Sequence, residues 1–189
     1  MRKIMCAGLM FICFAGAATA QSITVESDQA LDVDFSKYKT FYWSSQVDSW
    51  LDEGVYFLND LMMKSVIRDA VKGEMMGLGY QLQSYEPDLI VNFRVFDKPV
   101  TIKGFEGYGT SYWGNEKFRD ISDTTSYHVD AGTLLLSLAD RQSGQVVWQG
   151  FASGLIKDDR FVKDEGKIRE AVNLIFEEYN QRAKEYTRK

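Results

Sequence analysis

The residues able to do covalent or metal chemistry are few. The chain holds one imidazole, His128, and two thiols, Cys6 and Cys13. Both thiols fall in a stretch that reads as a removable leader, residues 1–20, so the mature chain is expected to carry no cysteine at all. That excludes a disulfide, a thiol nucleophile and a Cys/His zinc site. A serine hydrolase needs a base beside its hydroxyl. Ser111 stands in Gly109-Thr110-Ser111-Tyr112-Trp113-Gly114, which is not a strand-turn-helix nucleophile elbow. His128 with nearby Asp130 reads as a surface pair on a strand. Asp and Glu total 27, so carboxylate pairs of the glycosidase kind are easy to nominate and mean little. Asp158-Asp159 and Asp164-Glu165 are better read as loop solvation and helix initiation. Asp120, Asp123 and Asp130 do not fit the spacing of a helix-loop-helix calcium loop. The reading is a protein without catalytic residues, metal or cofactor.

One segment offers binding chemistry instead. Asp97 to Ala131 is far longer than a usual connection between strands. It carries Phe105, Tyr108, Tyr112, Trp113, Phe118 and Tyr127 among Gly104, Gly107, Gly109 and Gly114. Rings on a glycine-rich loop can stack on sugars or insert into a partner's surface. These six aromatics are the candidate ligand-binding residues. The competing reading is extra strand. Thr124 to Val129 alternates enough to extend the final meander, and the rings would then cover a sheet edge or face. Trp43 and Trp148 read as core or sheet-rim residues.

The leader has the parts of a secretion signal: basic Arg2 and Lys3, an apolar run from Ile4 to Ala17, and small residues Ala18-Thr19-Ala20. Cleavage is expected after Ala20. It would remove two basic residues and no acid, moving the net charge from −5 to −7. Neither cysteine follows the small residue that a lipoprotein signal wants, so lipidation is not expected. The expected location is periplasmic or outer-membrane-associated, with no transmembrane span after signal removal. An acidic chain also argues against nucleic acid, whose phosphates need a basic stripe.

Residues 21–189 read as a single domain, without repeats or low-complexity linkers. Strands are expected at Ser22–Glu26, Thr40–Trp43 and Tyr80–Gln83. Leu89, Val91, Phe93 and Val95 alternate with Asp88, Ile90, Asn92 and Arg94, as in a half-buried strand. Gly132–Ala139 and Gln145–Ala152 form a hairpin about a turn at Asp140–Gly144. In it Leu134, Leu136, Leu138, Val146 and Trp148 should share a face. A helix is expected over Val55–Met76, with Leu58, Met62, Val66 and Ala70 at i+4 spacing, Leu61, Met63, Ile67 and Val71 widening the stripe, and Gly77 and Gly79 as its stop. A second is expected over Lys163–Lys184, with Ile168, Ala171, Val172, Ile175, Phe176 and Tyr179 on one side. The expected fold is α+β: a mainly antiparallel sheet of about six strands with both amphipathic helices packed on one face.

Three segments carry a family resemblance: Asp34-Phe35-Ser36-Lys37-Tyr38-Lys39-Thr40-Phe41-Tyr42-Trp43, Pro87-Asp88-Leu89-Ile90-Val91-Asn92-Phe93, and Gly132 to Leu136 running through Asp140 to Val147-Trp148-Gln149-Gly150. In this order, with a helix after the first and another after the third, the chain resembles the bacterial family called domain of unknown function 4136. The resemblance implies an envelope protein of diderm bacteria, often a lipoprotein. It carries over no catalytic residue. The expected role is a non-enzymatic binding or structural accessory module. Its partner would be an envelope protein, a glycan or a lipid-derived ligand, the latter two engaging the aromatic segment 104–127.

Overall fold

The computed structural model describes residues 22–31, 33–44, 61–103, 126–157 and 160–183. The centre is a six-stranded sheet. Its strands are β1 (Thr24–Gln29), β2 (Thr40–Trp43), β3 (Gln81–Leu82), β4 (Leu89–Phe96), β7 (Thr133–Asp140) and β8 (Val146–Ser153), in the order β1-β8-β7-β4-β2-β3. β5 (Val100–Lys103) and β6 (Ser126–Val129) form a separate antiparallel ribbon, as do β9 (Ile156–Lys157) and β10 (Arg160–Phe161). Two helices, α1 (Leu61–Gly77) and α2 (Glu165–Glu177), pack on one face of the sheet and on each other. The fold is α+β, as expected. It is mixed because β2 runs parallel to both β3 and β4. Sequence reading put the strand at residues 80–83 directly before β4. The structure instead inserts β2 between them, made possible by the crossover through α1.

α1 ends where glycine allows it. Gly79 takes φ +92°, the Gly79 N–H donates to Met76 O and the Tyr80 N–H to Met75 O. That pair of bonds is the Schellman closure. Its buried stripe is Met63, Val66, Ile67, Val71 and Met75. Met62, expected in the stripe, is 72% exposed. The residues that set the angle lie at 63, 67 and 71, one position round the helix. The expected N-terminal portion of this helix, residues 55–60, lies outside the described residues.

α2 starts at Asp164, whose carboxylate accepts from the Lys167 N–H at 2.9 Å, a side-chain cap of the kind that stabilises a helix start. It stops at Glu177, short of the expected 184. Tyr179 is buried all the same, because the chain leaves the helix to place its ring among Trp148, Phe176 and Phe35.

In the β7–β8 hairpin, Gly144 supplies the positive φ (+70°) that the turn needs. A bulge between Leu138 and Ala139 shifts the pairing, so Leu138 opposes Trp148 while Ala139 opposes Val146. The extra residue moves Val147, rather than the expected Val146, into the helix-side core.

β4 and β7 are buried on both faces, so β4 is more than the half-buried strand its alternation suggested. The helix side holds Leu89, Val91, Phe93, Val95, Leu134, Leu136, Leu138 and Trp148. On the other side, Val100 and Val129 of the β5–β6 ribbon pack on Phe96, Leu135 and Phe151. The 124–129 alternation therefore does mark a strand over 126–129, but in its own ribbon folded over the sheet rather than as an extension of the meander.

Candidate functional site

Two polar constructions stand at opposite ends of β7. The first is a clasp at its C-terminal end. Asp140 is buried, yet its carboxylate gathers three donors: Lys37 Nζ at 2.7 Å, the Tyr38 hydroxyl at 2.8 Å and the Ser143 N–H at 2.8 Å. Burial pushes the Asp140 carboxyl up, but the Lys37 ammonium, the Ser143 N–H and the Tyr38 hydroxyl outweigh it and hold the group below the usual carboxylate range. Next to it, Asp88 Oδ2 accepts from the Lys39 N–H, the Thr40 N–H and the Thr40 hydroxyl at 2.8–3.0 Å, while the Asp88 N–H donates back to Thr40 Oγ1. These bonds tie residues 37–40 to β4 and to the β7–β8 turn. The segments that carry the family resemblance meet here, and their polar residues are committed to holding strands together.

Below the clasp, Tyr80 and Tyr179 share a 2.9 Å hydroxyl contact in the core. Burial raises the phenol of Tyr38, of Tyr80 and of Tyr179 above its ordinary value. All three rings are buried, and each hydroxyl has a hydrogen-bond partner within the protein, Asp140 for Tyr38 and one another for Tyr80 and Tyr179.

The second construction is an open recess of about 220 Å³ at the start of β7, on the face away from the helices. β1, the end of β8, the end of β6 and the first residue of β7 enclose it. Alternation along β1 turns Thr24, Glu26 and Asp28 away from Ile23 and Val25, which pack toward the core. Across from them stand Ser153 and Phe151 of β8, with Thr133, His128 and Asp130 completing the wall. Thr133 is buried; its hydroxyl donates to Asp130 O at 2.7 Å and lies 2.9 Å from Ser153 Oγ. From the Asp28 end, a polar row crosses the sheet in register: Asp28 opposite Gln149, Gln149 opposite Ser137, Ser137 opposite Asn92. The last three are buried.

His128 Nε2 is 3.8 Å from Asp130 Oδ1, with side chains 68% and 75% exposed; the pair is at the surface, as the sequence suggested, but only His128 lies in the strand, Asp130 standing just past the end of β6. Of the six candidate aromatics, Phe105, Tyr108, Tyr112, Trp113 and Phe118 lie outside the described residues. Tyr127 falls in β6, paired with Ile102. Ser111, Asp120 and Asp123 also lie outside. Among the described residues there is no cluster of three or more His, Cys, Asp or Glu placed to hold a metal ion. Nor, among them, is any helix long and apolar enough to cross a membrane. Trp43 and Trp148 are buried core residues. Sequence reading missed the recess. Its one available signal was the polar alternation Thr24, Glu26, Asp28. The partners of that alternation on β8 are more than 120 positions away, a pairing no local pattern announces.

A family model, Domain of unknown function (DUF4136), matches residues 25–179. The chain belongs to the DUF4136 family. A crystal structure of a DUF4136 family protein from Bacteroides thetaiotaomicron is similar in fold, with a TM-score of 0.53 at 17% identity over 83% of this chain and 95% of that one. A PDZ domain protein from Parabacteroides distasonis gives a TM-score of 0.49 at 19% identity, covering 88% of this chain and 37% of that one. No curated protein matches in sequence. In this DUF4136 chain, residues 37–40, Asp88 and Asp140 build the clasp, and the recess lies at the far end of β7.

Proposed function

We propose that this DUF4136 protein is an exported, non-enzymatic binding module of the cell envelope, and that the recess beside β1 is where its ligand sits. The observation that carries this is the recess itself: a concave, polar surface at a sheet edge, assembled from four chain segments, on the face the helices leave uncovered. Binding sites of small molecules are concave surfaces with a few convergent polar groups. The non-enzymatic reading rests on the surroundings of the single imidazole. Water reaches both His128 and Asp130, whereas general-base catalysis works best with groups held in dry, preorganised surroundings. Export rests on the basic, apolar and small-residue order of residues 1–20.

Amide chemical-shift mapping of the mature, labelled protein against fractionated envelope small molecules tests the site. The expected result is a perturbed set confined to Thr24–Asp28, His128–Asp130, Thr133 and Phe151–Ser153. Perturbations elsewhere, or none in any fraction, would overturn the recess reading. Intact mass of the exported protein is expected to begin at Gln21. A lipid-modified fragment beginning at Cys13 would overturn the unlipidated, periplasmic assignment.

A further inference from the structure

We propose that β1 is a docking edge, to which an extended, basic segment of a partner protein adds as a further strand of the sheet. The proposal rests on the main chain and is independent of what the recess holds. β1 ends the sheet order: one of its sides faces β8 and, among the described residues, no strand faces the other. Its pairing tells which groups point outward. Gln29 stands opposite Trp148, and the next residue, Ala30, donates its N–H to Val147 O at 3.0 Å. In an antiparallel pair such bonds are exchanged at every second residue. Counting back by twos, Thr24, Glu26 and Asp28 turn their N–H and C=O groups to β8. Val25, Ser27 and Gln29 turn theirs outward, a row of three donors and three acceptors. Ser27 and Gln29 are exposed. Sheet edges are commonly closed to other chains by proline, by a bulge or by a very short strand. β1 has six residues, Thr-Val-Glu-Ser-Asp-Gln, in unbroken register with β8. Such an edge accepts a strand through main-chain bonds, while alternate side chains set which strand it takes.

Charge chooses the occupant. A second copy would pair antiparallel through a two-fold axis, the outward residues of one β1 opposite those of the other. The three registers of greatest overlap then set Glu26 against Asp28, Glu26 against Glu26, or Asp28 against Asp28. Like charges directly opposite are destabilising. A strand with lysine or arginine at every second position turns each of those contacts into an opposite-charge pair. Its intervening residues fall on the helix side, beside Val25, which packs against the core, and Ser27. Small or apolar side chains suit them. The net charge of −5 draws a basic segment in from a distance.

The test titrates the labelled mature protein with the peptide Lys-Val-Lys-Thr-Lys-Val-Lys and reads amide shifts. The expected result is a perturbation centred on Val25, Ser27 and Gln29, and a few-fold weaker titration of Glu26→Gln at low salt. Two further peptides separate strand addition from charge attraction alone. One is N-methylated at its valines and threonine, the other at its central lysines, and both keep every charge. Only alternate amides of an added strand face β1, so one of the two is expected to bind about tenfold more weakly or worse, the scale of two lost main-chain bonds. Loss with the valine and threonine set assigns an antiparallel strand, loss with the lysine set a parallel one, and both sustain the docking edge. Equal binding by the two methylated peptides would overturn strand addition. Equal shifts from the same peptide with glutamate in place of lysine would overturn the basic partner. So would β1 shifts that follow protein concentration without peptide, with a dimer in sedimentation, which would give the edge to a second copy. No shift at Val25, Ser27 and Gln29 from any peptide would overturn the proposal outright and leave the recess to its own test.

Discussion

Asp140 shows how one buried carboxylate organises three segments. Its ammonium, hydroxyl and amide donors are all within 2.8 Å. Asp140→Asn leaves the shape but removes the charge that these donors face. It is expected to lower stability by about 2 kcal/mol at pH 7, the scale of a hydrogen bond to a charged group, measured by urea denaturation. The sign with pH follows from the direction of the shift. The folded carboxyl titrates below its unfolded counterpart, so its stabilisation is present above the unfolded value near pH 4. It is lost as pH falls through the lower folded value. The deficit of the Asn variant should therefore shrink in acid. A deficit that stayed constant down to pH 2 would contradict the clasp. Gly150 makes a second, purely steric point. A Cβ there would lie 2.5 Å from Ile175 Cγ2 and 2.6 Å from Trp148 Cη2. Gly150→Ala is expected to destabilise by about 1–3 kcal/mol through overpacking, seen as a lowered melting temperature.

Among the elements, α1 illustrates the gap between a periodic pattern and a buried face. The apolar residues at 61–63, 66, 67, 70 and 71 permit more than one stripe. Packing on α2 and on the sheet chose the one centred on Ile67. Met62→Lys is thus expected to change stability by no more than about 0.5 kcal/mol, while Ile67→Ala loses about 2–5 kcal/mol. Chemical denaturation of the two variants checks the orientation of the helix, and a large loss from Met62→Lys would put it wrong. The β7–β8 bulge is the strand counterpart. One inserted residue exchanges Val146 for Val147 on the helix side, because a shift of one in a period of two reverses every side chain beyond it.

For the molecule as a whole, the helix-side core gathers Tyr38, Tyr80 and Tyr179 around Trp148 and Phe176. Each phenol titrates higher in the fold than in the unfolded chain. Neutral hydroxyls therefore stabilise fully below the unfolded value near pH 10, and that stability falls as pH rises above it. Alkaline unfolding should be cooperative and begin above about pH 10. Tyr179→Phe should reduce its pH slope by up to about 1.4 kcal/mol per pH unit. An unchanged slope would mean that the ring is ionised in the fold. The recess lies on the opposite face of the sheet, away from this core. Substitutions there should leave both the acid and the alkaline limits where they are.

What could be read along the chain was local. Aromatic content marked β2, alternation marked β4, β7 and β8, Gly79 and Gly144 marked stops and turns, and Asp164 marked a helix start, because each is set by neighbours a few residues away. Composition narrowed the chemistry through its single histidine, and the ordered motifs marked the family. The tertiary structure alone decided what required distant partners. It placed β2 between β3 and β4, folded the β5–β6 ribbon over the second face, chose the stripe of α1, and brought Thr24 and Glu26 to Ser153 and Asp130. Those choices are made by packing both faces of one sheet at once, a condition that no short window of residues contains.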